Sequence, residues 1–266
     1  MLFPFSFLQS QVTTDPDALA FFARVTAAGG TLSATEKTAV NTLVVQMKAD
    51  GTWTPMKAIY PMVGASAAAC AQNLKSSSFT GTFTSGWTFA STGVKANGTS
   101  AYFDSTLTPS TSLTVSNLHL SAYSRTTFSP AGDTNIWGAY NPGNFVFGDF
   151  YNATPRFYTT NGGTAYIDTP FSNTRGLIVT SITSNATNDQ KTYQNATLKG
   201  QNTNTSIILP TAKIYFNAAN NSNVSAVNFA PFELSWASIG DGINSTQENN
   251  LYTAVQAFQT TLSRQV

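Results

Sequence analysis

The segment Leu118-His-Leu-Ser-Ala-Tyr-Ser124 is the clearest predictor of the fold. Its apolar residues recur at every second position, which is the pattern of a β-strand with one buried face. Similar short runs rich in Thr, Val, Ile, Phe and Tyr fill residues 76–240, and turn signals such as Asn97-Gly98 and Asn141-Pro-Gly143 separate them. Many short strands at even spacing predict a β-sandwich or jelly roll.

Two helices are predicted before these strands. Asp15 is a favourable N-cap, Pro16 fits the first helical turn, and Gly29-Gly30 ends the helix. Ser33 and Glu36 have the spacing of a capping box at the start of the second helix. An apolar stripe with the helical period follows that box: Val40, Leu43, Val44 and Met47. The short linker between the helices predicts an antiparallel hairpin.

A third helix is predicted at the C-terminal end. Ser245-Thr-Gln-Glu248 repeats the capping-box pattern. The apolar stripe after it has helical spacing: Leu251, Ala254, Val255, Phe258 and Leu262. We therefore predict a mainly β protein, a jelly-roll β-sandwich over 57–244 with an N-terminal segment at 1–14, a helical hairpin at 15–56 and a C-terminal helix at 245–266.

Charged residues are scarce. The 266 residues include 13 Lys plus Arg and 12 Asp plus Glu, so the charged fraction is 9%, against about 25% in an average domain. Thr, Ser and Asn replace them, with 40, 27 and 23 residues. A net charge of +1 does not attract nucleic acid, and no apolar run approaches the ~20 residues of a membrane helix. We predict neither nucleic-acid binding nor membrane insertion, and strand outer faces of Thr, Ser and Asn that suit neutral, hydrogen-bonding partners.

Several short motifs in a fixed order resemble a known family. Lys57-Ala-Ile-Tyr-Pro-Met-Val-Gly64 follows the second predicted helix, Trp87 and Lys95-Ala-Asn-Gly-Thr99 come next, and Ala237-Ser-Ile-Gly-Asp-Gly242 precedes the last helix. This order resembles laminin-G-like, concanavalin A-like jelly-roll proteins of tailed bacteriophages. The resemblance implies a structural protein at the virion surface, in a tail fibre, a tail tip or a capsid decoration. It also implies homo-oligomers, contacts with other virion proteins and adhesion to surface glycans.

The N-terminal segment is apolar, and if it were exposed it would promote aggregation. Its large apolar residues are Leu2, Phe3, Phe5, Phe7 and Leu8. Two interpretations are open: the segment packs on its own domain, or it anchors the chain to a neighbouring virion protein or protomer.

No catalytic residue is predicted. Glycosidases of this fold use two carboxylates across a cleft, but the acidic residues of the β-region are isolated in sequence. His119 lies between two leucines and is interpreted as an ordinary strand histidine rather than a base for Ser121. Cys70 lies in an alanine run and is interpreted as a small buried residue. The prediction is a non-enzymatic protein, with an architectural protein without ligand and a polysaccharide-degrading enzyme as alternatives.

Aromatic and Asn residues alternate between positions 135 and 158 and indicate a ligand surface. Aromatic rings stack on the C–H faces of sugars, while Asn side chains bond hydroxyl groups. Most of these rings are expected in the core, and the loop that begins at Tyr140 is expected to be the recognition surface. The predicted ligand-binding residues are Trp137, Tyr140, Asn141 and Asn144. We predict no cofactor and no metal, and a Ca²⁺ ion, which requires several oxygen ligands, would use Asp104, Asp133 and Asp149.

Overall fold

The chain forms a β-sandwich with helices at both ends, as seen in a computed structural model that describes residues 13–127, 132–151, 156–161, 166–171, 173–203 and 208–266. The helices are α1 (Pro16–Ala27), α2 (Ala34–Ala49), α3 (Ala67–Cys70), α4 (Pro109–Ser112) and α5 (Ser245–Thr261). The first eight strands are β1 (Met56–Tyr60), β2 (Thr82–Phe83), β3 (Trp87–Ala90), β4 (Gly93–Ala96), β5 (Phe103–Asp104), β6 (Leu118–Ser124), β7 (Thr134–Asn141) and β8 (Asn144–Tyr151). The others are β9 (Arg156–Asn161), β10 (Ile167–Pro170), β11 (Gly176–Ile182), β12 (Gln190–Gln194), β13 (Thr197–Asn202), β14 (Tyr215–Phe216), β15 (Ala219–Asn221), β16 (Ser225–Val227) and β17 (Glu233–Gly240). The predicted fold class, a mainly β jelly roll with terminal helices, is confirmed.

Two sheets make up the sandwich. In the described residues, sheet A has the order β13-β12-β11-β6-β17-β4-β3, and β1 also pairs with β17. Sheet B has the order β10-β9-β8-β7-β14-β5-β2, and the β15–β16 hairpin joins it beside β7. Neighbouring strands are antiparallel throughout both of these orders.

The described residues form three layers with two hydrophobic clusters. The first cluster lies between the sheets and contains large side chains of both: Leu120, Trp137, Phe150, Phe216 and Ile239. The second lies between sheet A and the helix layer, which consists of α1, α2 and α5. Side chains of β6, β11, β12 and β17 contribute to it from the sheet: Tyr123, Leu177, Val179, Tyr193 and Trp236. Sheet A is therefore covered on both faces.

The two N-terminal helices begin where the sequence predicts. The Asp15 carboxylate accepts the backbone N–H of Asp17 at the start of α1. Ser33 and Glu36 form a complete capping box at the start of α2. The Nζ atom of Lys48, late in α2, lies 2.6 Å from an Asp15 oxygen, so the two helices run antiparallel.

Helix α5 begins one residue earlier than the predicted capping box. Asn244 is the N-cap and exchanges hydrogen bonds with Gln247, so Ser245 and Glu248 do not form the box. Glu248 instead points inward and is 1% exposed. The predicted apolar stripe is confirmed, because its residues Leu251, Ala254, Val255 and Phe258 are buried.

Arg264 ties the C-terminal end of the chain to the sandwich. Its guanidinium is fully buried and donates to Gln259 Oε1, to the carbonyls of Met62 and Pro61, and to the carbonyl of Ser235. The acceptors belong to α5, to the loop after β1 and to β17. A buried guanidinium with several acceptors avoids the desolvation cost of an unpaired charge.

The Ser-rich face of sheet A corrects one expectation. Ser121 Oγ lies 2.7 Å from Ser238 Oγ, and Trp236 Nε1 donates to Ser121 Oγ at 3.0 Å. His119 Nε2 lies 3.2 Å from Ser238 Oγ. All four side chains are fully buried beneath the helix layer. The prediction that strand outer faces of Thr, Ser and Asn are exposed is therefore wrong for this sheet, because α1, α2 and α5 cover it.

The predicted anchor lies outside the described residues. It includes Leu2, Phe3, Phe5, Phe7 and Leu8, and the described part of the chain begins at residue 13. No helix in the described part is both long and apolar enough to span a bilayer.

Candidate functional site

The outer face of sheet B carries no helix layer among the described residues. The hydrophobic cluster under the helix layer contains side chains of sheet A and of the helices, and no residue of sheet B. The helix layer therefore does not cover the outward side chains of β7, β8, β14 and β5, although Asn135 and Asp149 are buried there.

Three aromatic side chains cluster on this face. Tyr140 lies on β7, and Phe145 and Phe147 lie on β8. Their neighbours Ala139 and Val146 point into the core, so the alternation of a strand directs the three rings outward. Tyr140 stacks on Phe145 with 4.9 Å between ring centroids, and Phe145 lies 5.4 Å from Phe147. We call these half-buried rings the outer aromatic cluster.

A tight turn holds the two strands of this cluster together. Asn141 pairs with Asn144, and Pro142-Gly143 forms the turn between them. Gly143 has φ +82°, and Pro followed by a glycine of positive φ is the signature of a type II turn. The Oδ1 atom of Asn141 accepts the backbone N–H groups of Thr211 and Ala212 at 2.7 and 2.9 Å, and the Thr211 hydroxyl at 3.1 Å. This oxygen is therefore engaged in holding the hairpin, whereas Asn144 is half-exposed at the turn.

Trp137 is not part of the surface, which corrects its prediction as a ligand-binding residue. The side chain is 0% exposed and lies in the cluster between the sheets. Gly148 on the neighbouring strand makes room for it, since a Cβ atom at that position would lie 2.4 Å from Trp137 Cε2. The indole therefore packs the core beneath the outer aromatic cluster.

Two buried polar side chains continue the row beyond Phe147. Asp149 pairs with Asn135 across β8 and β7, and Asp149 alternates with the core residue Phe150. Asp149 is 9% exposed, and Asn135 is fully buried. Within the described residues, the Oδ1 atom of each lacks a hydrogen-bond partner.

The environment of Asp149 favours its neutral form. Burial, together with the negative charge of Asp133, raises the pKa of Asp149 to about 7, although a hydrogen bond from the Thr134 backbone opposes the shift. A protonated Asp149 could donate as well as accept a hydrogen bond.

The three candidate Ca²⁺ ligands do not share one site. Asp104 lies on β5, three strands away from Asp149 in the sheet order. It accepts the Thr106 backbone N–H at 2.7 Å and lies 3.5 Å from Lys213 Nζ. Among the described residues, no group of three or more His, Cys, Asp or Glu side chains is arranged to hold a metal ion.

A second aromatic pair lies on the same face. The rings of Tyr102 and Tyr215 stack with centroids 4.2 Å apart and planes 16° from parallel. Both rings are half-buried, while their neighbours Phe103 and Phe216 fill the core. Sequence reasoning missed this tyrosine pair, although the alternation Tyr-Phe in both strands was a usable signal.

His119 and Cys70 are interior residues, as predicted for Cys70. His119 is fully buried, its Nδ1 atom lies 2.5 Å from the Asp241 carbonyl, and burial lowers its pKa to about 4. Cys70 is 1% exposed, and burial raises its pKa to about 12. Neither side chain is accessible to a substrate in the surrounding solvent.

Comparisons with known proteins support the fold. No family model matches the chain, and no curated protein matches it. Among solved structures, domain 4 of AbnA, a GH43 extracellular arabinanase from Geobacillus stearothermophilus determined with arabinotriose, has a TM-score of 0.51 at 14% identity, over 74% of this chain and 98% of that domain. The botulinum neurotoxin serotype D binding domain has a TM-score of 0.52 at 10% identity, over 75% of this chain and 51% of that one.

A third similar structure is larger than this chain. A mutant Trypanosoma rangeli sialidase with trans-sialidase activity has a TM-score of 0.50 at 12% identity. The match spans 82% of this chain but 39% of the sialidase. At these identities the likeness establishes a shared β-sandwich fold.

Proposed function

We propose that the protein is a non-enzymatic carbohydrate-binding module that holds glycans on the outer face of sheet B. The observation that carries this proposal is the outer aromatic cluster. Its three rings are half-buried on a sheet face that the helix layer does not cover, yet they belong to neither hydrophobic cluster of the fold. A cluster of rings that the core does not require is available for a ligand.

The chemistry of the cluster suits a neutral sugar. Its rings present apolar surface to the C–H face of a sugar, and the Tyr140 hydroxyl adds a polar group at the edge. The arabinanase domain of the same fold was determined with arabinotriose, which supports the proposal as an analogy of fold.

We further propose a setting at the surface of a tailed-phage virion. The support is the sequence resemblance described above, and it extends to the other inferred partners: neighbouring virion proteins and further copies of this chain. In this proposal, the apolar residues at 2–8 anchor the chain in the particle and the sandwich faces outward.

A glycan array followed by calorimetric titration of the best ligand tests carbohydrate binding. Phe147→Ala or Phe145→Ala should weaken binding by about tenfold or more, as expected when a stacking anchor worth ~1.4 kcal/mol or more is removed. Tyr252→Ala is the matched control, because this half-buried ring packs in the helix layer on the other side of sheet A.

Two results would contradict the proposal. Wild-type protein that binds no glycan, or cluster variants that bind as well as Tyr252→Ala, would exclude carbohydrate recognition at this face. Release of reducing ends from the bound polysaccharide would show that the protein is an enzyme.

A further inference from the structure

We propose that the ligand is an extended oligosaccharide that contacts the tyrosine pair, Tyr102 and Tyr215, as well as the outer aromatic cluster. This inference rests on the proposed carbohydrate binding and specifies the class of ligand: a chain of several sugar units rather than a single terminal sugar.

The strand register places both aromatic sites in one row. Phe147 pairs with Gly138, Gly138 pairs with Tyr215, and Tyr215 pairs with Asp104. Paired residues share a face of the sheet, so Phe147 and Tyr215 point to the same side. Two strand spacings separate them, which is about 10 Å. A single monosaccharide cannot cover this distance, but a short oligosaccharide can.

Small residues occupy the sheet surface between the two sites. Gly138 has no side chain, and a Cβ atom there would lie 2.7 Å from Ala219 Cα and 3.2 Å from Phe147 Cδ1. Ala219, at the start of the β15–β16 hairpin, thus occupies the space above Gly138. Its partner Val227 is 36% exposed. A ligand that joins the two sites would cross the β15–β16 hairpin at Ala219 and Val227.

The tyrosine pair has the features of a binding site rather than of core packing. Neither ring belongs to a hydrophobic cluster. The Lys213–Asp104 ion pair lies beside it, and the Lys213 side chain is 44% exposed. Burial and the charge of Asp104 raise the pKa of Tyr215, and a side-chain hydrogen bond with Tyr102 adds to the shift. The site therefore combines ring faces with hydrogen-bond donors for sugar hydroxyls.

Two linked sites predict a dependence of affinity on ligand length. Once one end of a chain is held at the outer aromatic cluster, binding at the tyrosine pair becomes intramolecular, and a high effective concentration strengthens it. A short ligand reaches one site and does not gain this advantage.

Calorimetric titration with oligosaccharides of increasing length tests the inference. The probes are arabino-, xylo-, cello- and malto-oligosaccharides from the disaccharide to the octasaccharide. For the series that binds, wild-type affinity should rise by about tenfold or more from short to long members. Tyr215→Ala and Tyr102→Ala should remove this rise and leave the affinity for the shortest binding member unchanged.

Two controls separate binding from folding. Tyr215→Phe keeps the stacked ring and should retain most of the rise with length, while Tyr252→Ala should retain all of it. Backbone amide signals of residues 102, 104 and 215 in the wild-type protein should shift with long oligosaccharides and not with short ones. This measurement decides the matter even if an alanine variant does not fold.

The outcomes distinguish this inference from the proposed function. If wild-type protein binds sugars through Phe147 but affinity does not rise with length, or signals near Tyr215 do not respond, the second site is excluded and carbohydrate binding stands. If no oligosaccharide of any length binds, both proposals are wrong.

Discussion

The two sheets differ in what their outer faces carry and in what covers them. On sheet A, the outward side chains of Ser121, Ser238 and His119 are polar, and the helix layer buries them. On sheet B, the outward side chains of Tyr140 and Phe147 are aromatic, and solvent reaches them. Side-chain polarity therefore does not identify the exposed face of a strand in this molecule; the position of the helices does.

The buried polar face of sheet A is tolerated because its groups bond one another. Ser121 accepts from the Trp236 indole and bonds Ser238, which in turn lies within hydrogen-bond distance of His119. Buried polar groups that satisfy each other avoid most of the desolvation cost. The aromatic face of sheet B has no such structural reason, which is why we assign it to binding.

The largest predicted effect on stability is the difference between a variant on the inner face of sheet B and one on its outer face. Trp137→Ala should reduce the free energy of unfolding by about 3–5 kcal/mol, because it empties a fully buried site in the core. Phe147→Ala should reduce it by less than about 1.5 kcal/mol, since that ring is half-exposed. Denaturant unfolding measures both values.

The two variants should rank in the opposite order when glycan affinity is measured instead of stability. Phe147→Ala should lose glycan affinity while it stays folded, whereas a folded Trp137→Ala protein should keep it. If Phe147→Ala destabilises the fold as much as Trp137→Ala, the ring is part of the core and the comparison between the faces fails.

Much of the fold could be predicted from the sequence because its signals are local. Capping residues such as Asp15 and Ser33, with the stripes behind them, located α1 and α2, and alternation located β6. The start of α5 was misplaced by one residue, since Asn244 and Ser245 are both good caps. In the structure Asn244 is the N-cap, with Gln247 as its capping-box partner, and the Glu248 side chain is buried.

The candidate site was harder to predict because it depends on the sheet order. Alternation shows that Trp137 and Tyr140 face opposite sides of β7, but it does not show which side is the core. Nor does the sequence show that Tyr102 and Tyr215, more than 100 residues apart, meet on one face through the pairing of β5 with β14. Asn141 was predicted as a ligand-binding residue, and in the structure its Oδ1 atom accepts hydrogen bonds from the chain itself.

A second contrast concerns two carboxyl groups with similar pKa values, Glu248 in the helix layer and Asp149 on sheet B. Burial raises the pKa of Glu248 and of Asp149 to about 7. The folded state therefore holds these protons more tightly than the unfolded chain, where ordinary values of 4.5 and 3.8 apply. The contribution of these two groups to the free energy of unfolding is therefore largest when the pH is below the unfolded-chain pKa values. It decreases as the pH rises toward 7 and is constant above pH 7.

Amide variants should remove this pH dependence. At about pH 8, Glu248→Gln and Asp149→Asn should each be more stable than wild type by on the order of 1–3 kcal/mol, and the gain should vanish near pH 4. Thermal unfolding across this range measures it. Only Asp149→Asn, which lies in the row of Phe147, should also alter glycan affinity; a change in affinity with Glu248→Gln would show that the helix layer influences the ligand site.

The smallest predicted effect concerns the helix that covers sheet A. Asn244→Ala should lower the free energy of unfolding by about 1 kcal/mol, because the Gln247 backbone N–H loses its side-chain acceptor. Ser245→Ala is the matched control and should change it by no more than about 0.5 kcal/mol, since the Ser245 side chain does not supply the N-cap bond. Equilibrium denaturation of both variants provides the comparison. If Ser245→Ala lowers the free energy of unfolding more than Asn244→Ala does, Ser245 is the N-cap. Glu248 would then be the third residue of the helix, and its side chain would point toward solvent instead of lying beneath α5.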